Sequence, residues 1–267
     1  MTGMSDDRDF VEALARGLDV IRAFSTSHLS LSVSEVASVT GLARPTARRL
    51  LLTLESIGYV RSNDGEYTLT PKVLELGMSY IDAQGMWEVA RPHLQSLVHA
   101  THESSSMSQL DGSDIVYTAR VPVPKIIGIS VQIGTRFPAV ATSMGQVLLA
   151  DLSEAELDRV LRLPSASDVI PRVKLTRKEL SAILADVRKR GWALSDEQLS
   201  LGIRSIAAPV CDGSGRTVAA VNVTVHAAET SIATLKKDHL PKLLETASAI
   251  SADFARMSAM PSTKPLR

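Results

Sequence analysis

Apolar residues near the start of the chain recur at helical spacing. Val11, Leu14, Leu18, Ile21 and Phe24 define a first helix that ends in the polar run Ser25-Thr26-Ser27-His28. In Ser32-Val33-Ser34-Glu35 a serine stands three residues before a glutamate, the register of a capping box. It opens a short helix carrying Val36 and Val39 and ended by Gly41. Arg44-Pro45 opens a third helix, with proline in the first turn where its missing N–H costs nothing. Ala47, Leu50, Leu51, Leu54 and Ile57 form its expected inward face. After Gly58, Tyr59-Val60-Arg61 and Glu66-Tyr67-Thr68-Leu69 flank the turn Ser62-Asn63-Asp64-Gly65 as a two-stranded hairpin. Three helices and a hairpin predict a winged helix-turn-helix over residues 10–72, behind a flexible tail over 1–9.

The pattern from Pro71 to Ile81 is helical again, so 73–85 is expected to be a linker helix, interrupted by Gly85. A second domain over 86–258 begins with an amphipathic helix, Met86 to His102, and then changes to strands. These are expected at Met107 to Leu110, Ile115 to Val121 and Lys125 to Val131, with turns at Asp111-Gly112-Ser113-Asp114 and Pro122-Val123-Pro124. Helices follow from Ser143 to Ala150, from Ser153 with Glu156 in capping-box register, and from Thr176 with Glu179 likewise, the last closed by Gly191. Trp192 to Ser195, Ile203 to Cys211 and Arg216 to His226 are further strands, the last two joined across Asp212-Gly213-Ser214-Gly215. A helical tail from Ser231 to Met257 ends the domain, and 259–267 is a second flexible tail. Hairpin-joined strands with helices in blocks between them indicate an α+β fold with a mainly antiparallel sheet flanked by helices.

Composition narrows the function classes. The 267 residues are 45% apolar and 22% charged, enough to bury real cores, and the length suits two modest domains. A single cysteine excludes a disulfide scaffold and a four-cysteine zinc site. No run approaches the roughly 20 apolar residues of a membrane span, and the acidic start Ser5-Asp6-Asp7-Arg8-Asp9 is unlike a secretory leader. A cytoplasmic chain with no membrane partner is expected. With 29 basic and 29 acidic residues the net charge is zero, so any nucleic-acid site must be a local patch rather than a bulk basic field.

Such a patch lies between Gly41 and Arg61, where Arg44, Arg48, Arg49 and Arg61 face one acid, Glu55. Arg48 and Arg49 stand opposite the apolar stripe of the third helix. Arg44, Pro45 and Thr46 lie at its N-terminal end, which helix-turn-helix geometry presents to base edges. Arginine bridges guanine O6 and N7 through two parallel hydrogen bonds, which lysine cannot do. Arg61, at the base of the wing, is placed for a phosphate. Double-stranded operator DNA is the implied partner; the competing reading is a solvated helix face whose arginines pair with nearby acids.

In Val221-Asn222-Val223-Thr224-Val225-His226 every odd position is valine and every even one polar, so one face of this strand is core and the other wet. The Ile203/Ser205/Ala207 face of its partner is small or polar too. That wet face either meets solvent or lines a pocket. Other reactive residues offer little chemistry. Cys211 ends an apolar strand as a packed thiol without a nearby base. His99 and His102 lie three apart on a helix, but no third metal ligand stands at a recognisable spacing. Asp196-Glu197 are adjacent and point apart. No phosphate-binding glycine loop, zincin helix or nucleophile elbow occurs, so neither an enzyme nor a cofactor or metal is expected.

The stretch ALARGLDVIRAFSTSHLSLSVSEVASVTGLARPTARRLLLTLESIGYV resembles the IclR family of bacterial transcriptional regulators, and GWALSDEQLSLGIRSIAAPVCDGSGRTVAAVNVTVHA is similar to that family's effector-domain signature. TARVP, IGTRFPAVATSMGQVLLA and SIAAPV are most similar to the subgroup that controls protocatechuate and 4-hydroxybenzoate catabolism in the β-ketoadipate pathway. The resemblance implies a homodimer or tetramer assembled through winged domains and linker helices. It also implies a PAS- or GAF-like second domain that binds a small organic acid, aromatic or dicarboxylic. Carried over by position, the lining is Ser143, Met144, Ser195, Ile203, Ser205, Asn222 and Thr224, with Ile126, Ile129 and Phe137 as an apolar wall. Ser195 replaces the carboxylate of glyoxylate-sensing members and Ser205 a family cysteine, so the ligand need not be a two- or three-carbon acid. The N–H groups opening the Ser143 helix, with the Ser143 and Ser205 hydroxyls, could hold a carboxylate. Arg120 and Arg136 are candidate counter-charges, unless they serve as surface or ion-pair residues. The alternatives are a DNA-binding protein whose second domain only oligomerises and, less expected, an enzyme whose second domain turns over a small acid.

Overall fold

A computed structural model describes residues 10–25, 27–77, 85–124 and 131–259 of the chain, which divides into two units, Met1–Ala83 and Gln84–Arg267. The first unit runs α1 (Glu12–Arg22), β1 (Leu31–Ser32), α2 (Val33–Thr40), α3 (Arg44–Ser56), β2 (Val60–Asn63) and β3 (Glu66–Leu69). The capping box forms as its spacing requires: the Ser32 N–H donates to Glu35 at 2.8 Å and the Glu35 N–H to the Ser32 hydroxyl at 3.3 Å. Gly41, at φ +68°, then closes α2 in the left-handed region that a side chain would resist. The hairpin turns on Asp64 and Gly65, both at positive φ (50° and 86°), which matches the twist of the flanking strands. The sheet is wider than the two-stranded wing expected, because Leu31 and Ser32 pair with Tyr67 and Glu66, giving the order β1-β3-β2.

Val20, Phe24, Leu31, Val36, Ala47, Leu51, Leu54, Val60 and Tyr67 build the core of this unit. Two expected apolar faces need correction. Ile57 follows the last turn of α3 and is 48% exposed, and Leu50 packs against the core only half-buried, at the margin of the buried Ala47, Leu51 and Leu54. On α1 the core takes Val20, whereas Leu14 and Leu18, and Val11 at the N-cap before them, stay exposed at 65%, 47% and 62%. Beyond the wing, Pro71–Val73 is a 3-10 turn and residues 74–77 are helical. The remainder of the expected linker helix over 73–85 lies outside the described residues up to Gly85.

The second unit opens with α4 (Met86–Thr101). There follow β4 (Ser104–Asp111), β5 (Asp114–Val121), β6 (Arg136–Pro138), α5 (Ser143–Ala150), α6 (Glu154–Leu161), α7 (Arg177–Arg190), β7 (Ala193–Asp196), β8 (Ile203–Cys211), β9 (Thr217–His226) and α8 (Leu240–Ala259). A turn over Ile232–Thr234 and a π-helical turn over Leu235–His239 lead into α8. The strands form one antiparallel sheet in the order β6-β5-β4-β9-β8-β7. The edge strand after β5 is Arg136–Pro138, not the expected Lys125 to Val131: Val131 is outside any strand and 125–130 lie outside the described residues.

Both faces of this sheet are covered. Met107, Ala119, Ile206, Ala208, Val210, Val221, Val223 and Val225 pack on Leu94 and Leu97 of α4 and Leu243 and Ile250 of α8. The opposite face carries Ile115, Tyr117, Ala193, Ala207 and Ala220 beneath Met144 and Val147 of α5 and Leu184 of α7. A bulge in β5 shapes that second face. Met107 pairs with Ala119 but Ser108 pairs with Tyr117, so Thr118 is an extra residue, and Tyr117 and Arg120, three apart, share one side. Among the described residues no helix is long and apolar enough to cross a membrane.

Candidate nucleic-acid interface and ligand site

On α3 the apolar side seats the helix and the opposite side is left to its arginines. The N–H groups of Thr46 and Ala47 donate to the Ala43 carbonyl at 2.9 and 3.0 Å, starting the helix around Pro45 without loss of a bond. Burial of Ala47, Leu51 and Leu54 leaves Arg44, Pro45, Arg48 and Arg49 exposed and Thr46 half-exposed. The alternative in which these arginines are neutralised locally finds no support: none of Arg44, Arg48, Arg49 and Arg61 forms an ion pair among the described residues. The segment's acid, Glu55, instead accepts from the Ser62 N–H and hydroxyl at 3.1 and 2.6 Å. Arg61 is exposed on β2, its Nε donating to Thr68 Oγ1 at 3.3 Å. Lys72, not foreseen, donates through Nζ to the Ile57 carbonyl at 3.0 Å and lies 5.3 Å from the centre of the Tyr59 ring. A cation there complements the negative end of α3.

In the second unit the residues expected to line a ligand site converge on the face of the sheet beneath α5. Strand pairing sets two neighbouring rows: Arg120, Ser106, Asn222 and Ala207 in one, Ser195, Ser205 and Thr224 in the next. The Ser143 and Ser205 hydroxyls share a hydrogen bond of 2.8 Å, and the Ser195 hydroxyl donates to the Ala141 carbonyl at 3.2 Å. The buried Ser108 hydroxyl lies 3.3 Å from the Met144 sulfur. Asn222 Oδ1 accepts from the Ser106 N–H at 2.9 Å while its Nδ2 donates to Thr224 Oγ1 at 2.9 Å, which fixes its amide orientation. Ile203 is half-buried on the same side of β8, and Ile126 and Ile129 lie outside the described residues. Phe137 packs edge-on against Tyr117, ring centres 5.6 Å apart, so it is a wall of the Tyr117 core.

The start of α5 is held against the preceding turn Ala139–Ala141. Thr142 caps it, accepting from the Gly145 N–H at 3.1 Å, and a Cβ at Gly145 would fall 2.1 Å from the Ala139 carbonyl oxygen. Only glycine permits that approach.

The two candidate counter-charges part company. Arg136 is paired with Asp111 at 2.8 Å and Asp114 at 3.5 Å, which corrects the expectation of a free counter-charge: two carboxylates already neutralise it. Arg120 donates to the Ser106 hydroxyl at 3.0 Å and has no ion pair among the described residues. Burial pushes its pKa down, the nearby Tyr117 opposing this. Tyr117, also on this face, is pushed up to about 12 by burial, against the pull of Arg120, and is a neutral phenol.

Tyr117, Ser106 and Gln146 were missed from sequence. For Ser106 a signal existed, since it follows Ser104 at every second position of a strand. Gln146 carried none: its buried Nε2 donates to the Val140 carbonyl at 3.2 Å and to Gln198 Oε1 at 2.7 Å. The remaining reactive groups have structural partners. Asp196 binds Arg204 at 2.7 Å, and Glu197 accepts from the Gly202 N–H at 2.6 Å. The Cys211 thiol is half-buried at the end of β8, and burial raises its pKa. His99 and His102 meet edge to edge, ring centres 6.4 Å apart, and no cluster of three metal-ligating side chains occurs among the described residues.

Residues 13–64 match the family profile described as the IclR helix-turn-helix domain, and residues 78–252 that described as bacterial transcriptional regulator IclR C-terminal. The chain is 37% identical over 239 residues to the Pca regulon regulatory protein of Pseudomonas putida, covering 89% of this chain and 82% of that one. A solved structure from Rhodococcus sp. RHA1, described as a transcriptional regulator, is similar with a TM-score of 0.82 and 48% identity, covering 93% of this chain and 100% of that chain. Another is a double mutant of the PobR inducer-binding domain from Acinetobacter in complex with 3-hydroxybenzoic acid. Its TM-score is 0.56 at 28% identity, covering 61% of this chain and 96% of that chain.

Proposed function

Since the chain belongs to the IclR family of bacterial transcriptional regulators, and is a DNA-binding regulator of that type, we propose that residues 10–72 read operator DNA under control of an aromatic acid bound within 86–258. Arg44, Pro45, Thr46, Arg48 and Arg49 enter the major groove and Arg61 holds a phosphate. The observation that carries this is the exposed, unpaired arginine face of α3, opposite a helix side fully committed to the core. In a chain of zero net charge, such a face is the local positive field that a duplex requires. The ligand lies on the polar sheet face beneath α5, lined by Ser143, Met144, Ser195, Ile203, Ser205, Asn222 and Thr224. An aromatic acid is favoured by the hydroxyl-rich lining and by the 3-hydroxybenzoic acid bound to the similar Acinetobacter inducer-binding domain. The exposed Leu14 and Leu18 on α1, with Val11 at its N-cap, support a second copy as their cover, hence a homodimer or a tetramer built from it.

Gel shifts with DNA from upstream of the protein's own gene, in the presence and absence of protocatechuate and 4-hydroxybenzoate, test the reading. A shift whose midpoint moves with one of these acids is the expected result. DNA binding indifferent to every acid would leave a DNA-binding protein with an oligomerising second domain.

A further inference from the structure

We infer that the second unit holds another, smaller ligand site at the far end of α5, built for a free α-amino acid with an aliphatic side chain. It is separate from the polar sheet face. Ser143 opens α5 and Ala150 ends it, so seven residue rises, roughly 10 Å, lie between them.

A cavity of about 200 Å³ opens where the C-terminal ends of α5 and α7 meet β8 and β9. Small residues make the room. Ala150 ends α5, Pro209 and Thr217 come from the sheet, and Gly191, at φ +78°, closes α7 with open space where a side chain would stand. Val147, Ala150 and Val187 are buried, so much of the wall is hydrocarbon. Ligand sites combine such walls with a few fixed polar groups, and drug-sized molecules take about 300–1,000 Å³. This cavity suits a smaller molecule with a branched aliphatic group, which gains by leaving water.

Two of its lining residues carry opposite charges that do not meet. Arg188 is tied to the chain leaving α5: its Nε donates to the Ala150 carbonyl at 2.6 Å and its Nη2 to the Leu152 carbonyl at 3.4 Å. Those carbonyls flank Asp151 in the sequence, so guanidinium and carboxylate are near neighbours. Asp151 turns instead to the sheet, its Oδ2 accepting from the Thr217 N–H at 3.1 Å. No ion pair joins it to Arg188 among the described residues, and the carboxylate that Arg188 does face is that of Glu154, at 3.8 Å. Arg188 Nη1 and Asp151 Oδ1 keep no hydrogen-bond partner among the described residues. A zwitterion answers both. Its carboxylate meets the guanidinium and its ammonium meets the Asp151 carboxylate, each through a charge-assisted hydrogen bond, while its side chain enters the hydrocarbon-walled space. A ligand with one charge leaves the opposite group unmatched, and glycine leaves the cavity unfilled.

Calorimetry on the full chain with L-leucine, 4-methylpentanoate, 3-methylbutylamine and glycine tests the assignment. Leucine should bind about 10-fold tighter than the acid that lacks its ammonium or the amine that lacks its carboxylate, the loss expected for one hydrogen bond to a charged group. Glycine should give no heat. Asp151→Asn, which keeps an acceptor for the Thr217 N–H, should erase the preference for leucine over 4-methylpentanoate, and Arg188→Gln the preference over 3-methylbutylamine. Leucine should bind equally well with 4-hydroxybenzoate present, because the two occupy opposite ends of α5. No heat with leucine, equal affinity for leucine and either singly charged analogue, an isotherm that neither substitution alters, or competition with 4-hydroxybenzoate overturns the assignment. The aromatic-acid reading is untouched by the first three results, since it rests on other residues.

Discussion

Glu55, in the last turn of α3, accepts two hydrogen bonds from Ser62 on β2, 3.1 Å from its N–H and 2.6 Å from its hydroxyl. The helix that carries the arginines is thereby tied to the strand that carries Arg61, and the one acid of the segment is withheld from the arginines. Glu55→Ala should cost about 1–2 kcal/mol of stability, the range for two hydrogen bonds to a charged acceptor on the surface. Operator affinity should fall several-fold although no DNA-facing residue changes. Melting curves and gel shifts on the same protein check both; an unchanged melt would show the tie to be inert.

Arg48→Ala and Arg49→Ala should each weaken operator binding about 10-fold or more, since a bidentate base contact is worth about 1–3 kcal/mol. Both side chains are exposed, so the melting temperature should not move. Arg61→Ala should act differently, lowering affinity for all sequences alike and reducing the salt slope by about 1. Titrations at several salt concentrations with operator and scrambled duplexes separate the two behaviours.

Gly145→Ala is expected to be among the most damaging single-atom additions in the second unit. Its Cβ would sit 2.1 Å from the Ala139 carbonyl oxygen, so the backbone of α5 or of the turn before it must move. A loss of about 1–3 kcal/mol follows for such overpacking, together with weaker ligand binding, because Ser143 lies on the same turn. Chemical denaturation and calorimetry report the two losses; retention of full stability would mean that α5 is free to slide.

Tyr117 makes the second unit sensitive to alkali. Its phenol is raised from the ordinary 10.0 to about 12 by burial, so the folded chain keeps a proton that the unfolded chain has released. Stability is full below pH 10.0 and falls by about 2–3 kcal/mol as pH rises to about 12. Phenolate absorbance should show one of the four tyrosines titrating late and together with unfolding. Tyr117→Phe should remove that part of the pH dependence.

Local chemistry was legible in the sequence wherever a few neighbouring residues decide the outcome. The capping boxes at Ser32, Ser153 and Thr176 and the Asp64-Gly65 turn all form where their spacing puts them. The alternating valines of β9 correctly marked one face as core, and the convergence of Ser205, Asn222 and Thr224 on the other side follows from the same period of two. Features that depend on distant partners were not legible. Leu31 and Ser32 are too short a run to announce a strand, and they pair only because β3 is already there. Ile57 shares the period of Leu50 and Leu54 but falls past the end of α3 and stays 48% exposed. The placing of Arg120 beside Tyr117 required a bulge at Thr118, and strict alternation would have set the guanidinium among the valines. The partners of Arg136, from the end of β4 and the start of β5, likewise come together only in the fold.

The sheet of the second unit assigns its two sides to different tasks, hydrocarbon against α4 and α8 on one and hydroxyl, amide and guanidinium groups beneath α5 on the other. Successive residues of β4, β8 and β9 therefore answer to different physical demands, packing for one and hydrogen bonding for the next. Under the proposed reading, a single replacement in the polar set changes which acid is held while the packed hydrocarbon side stays as it is.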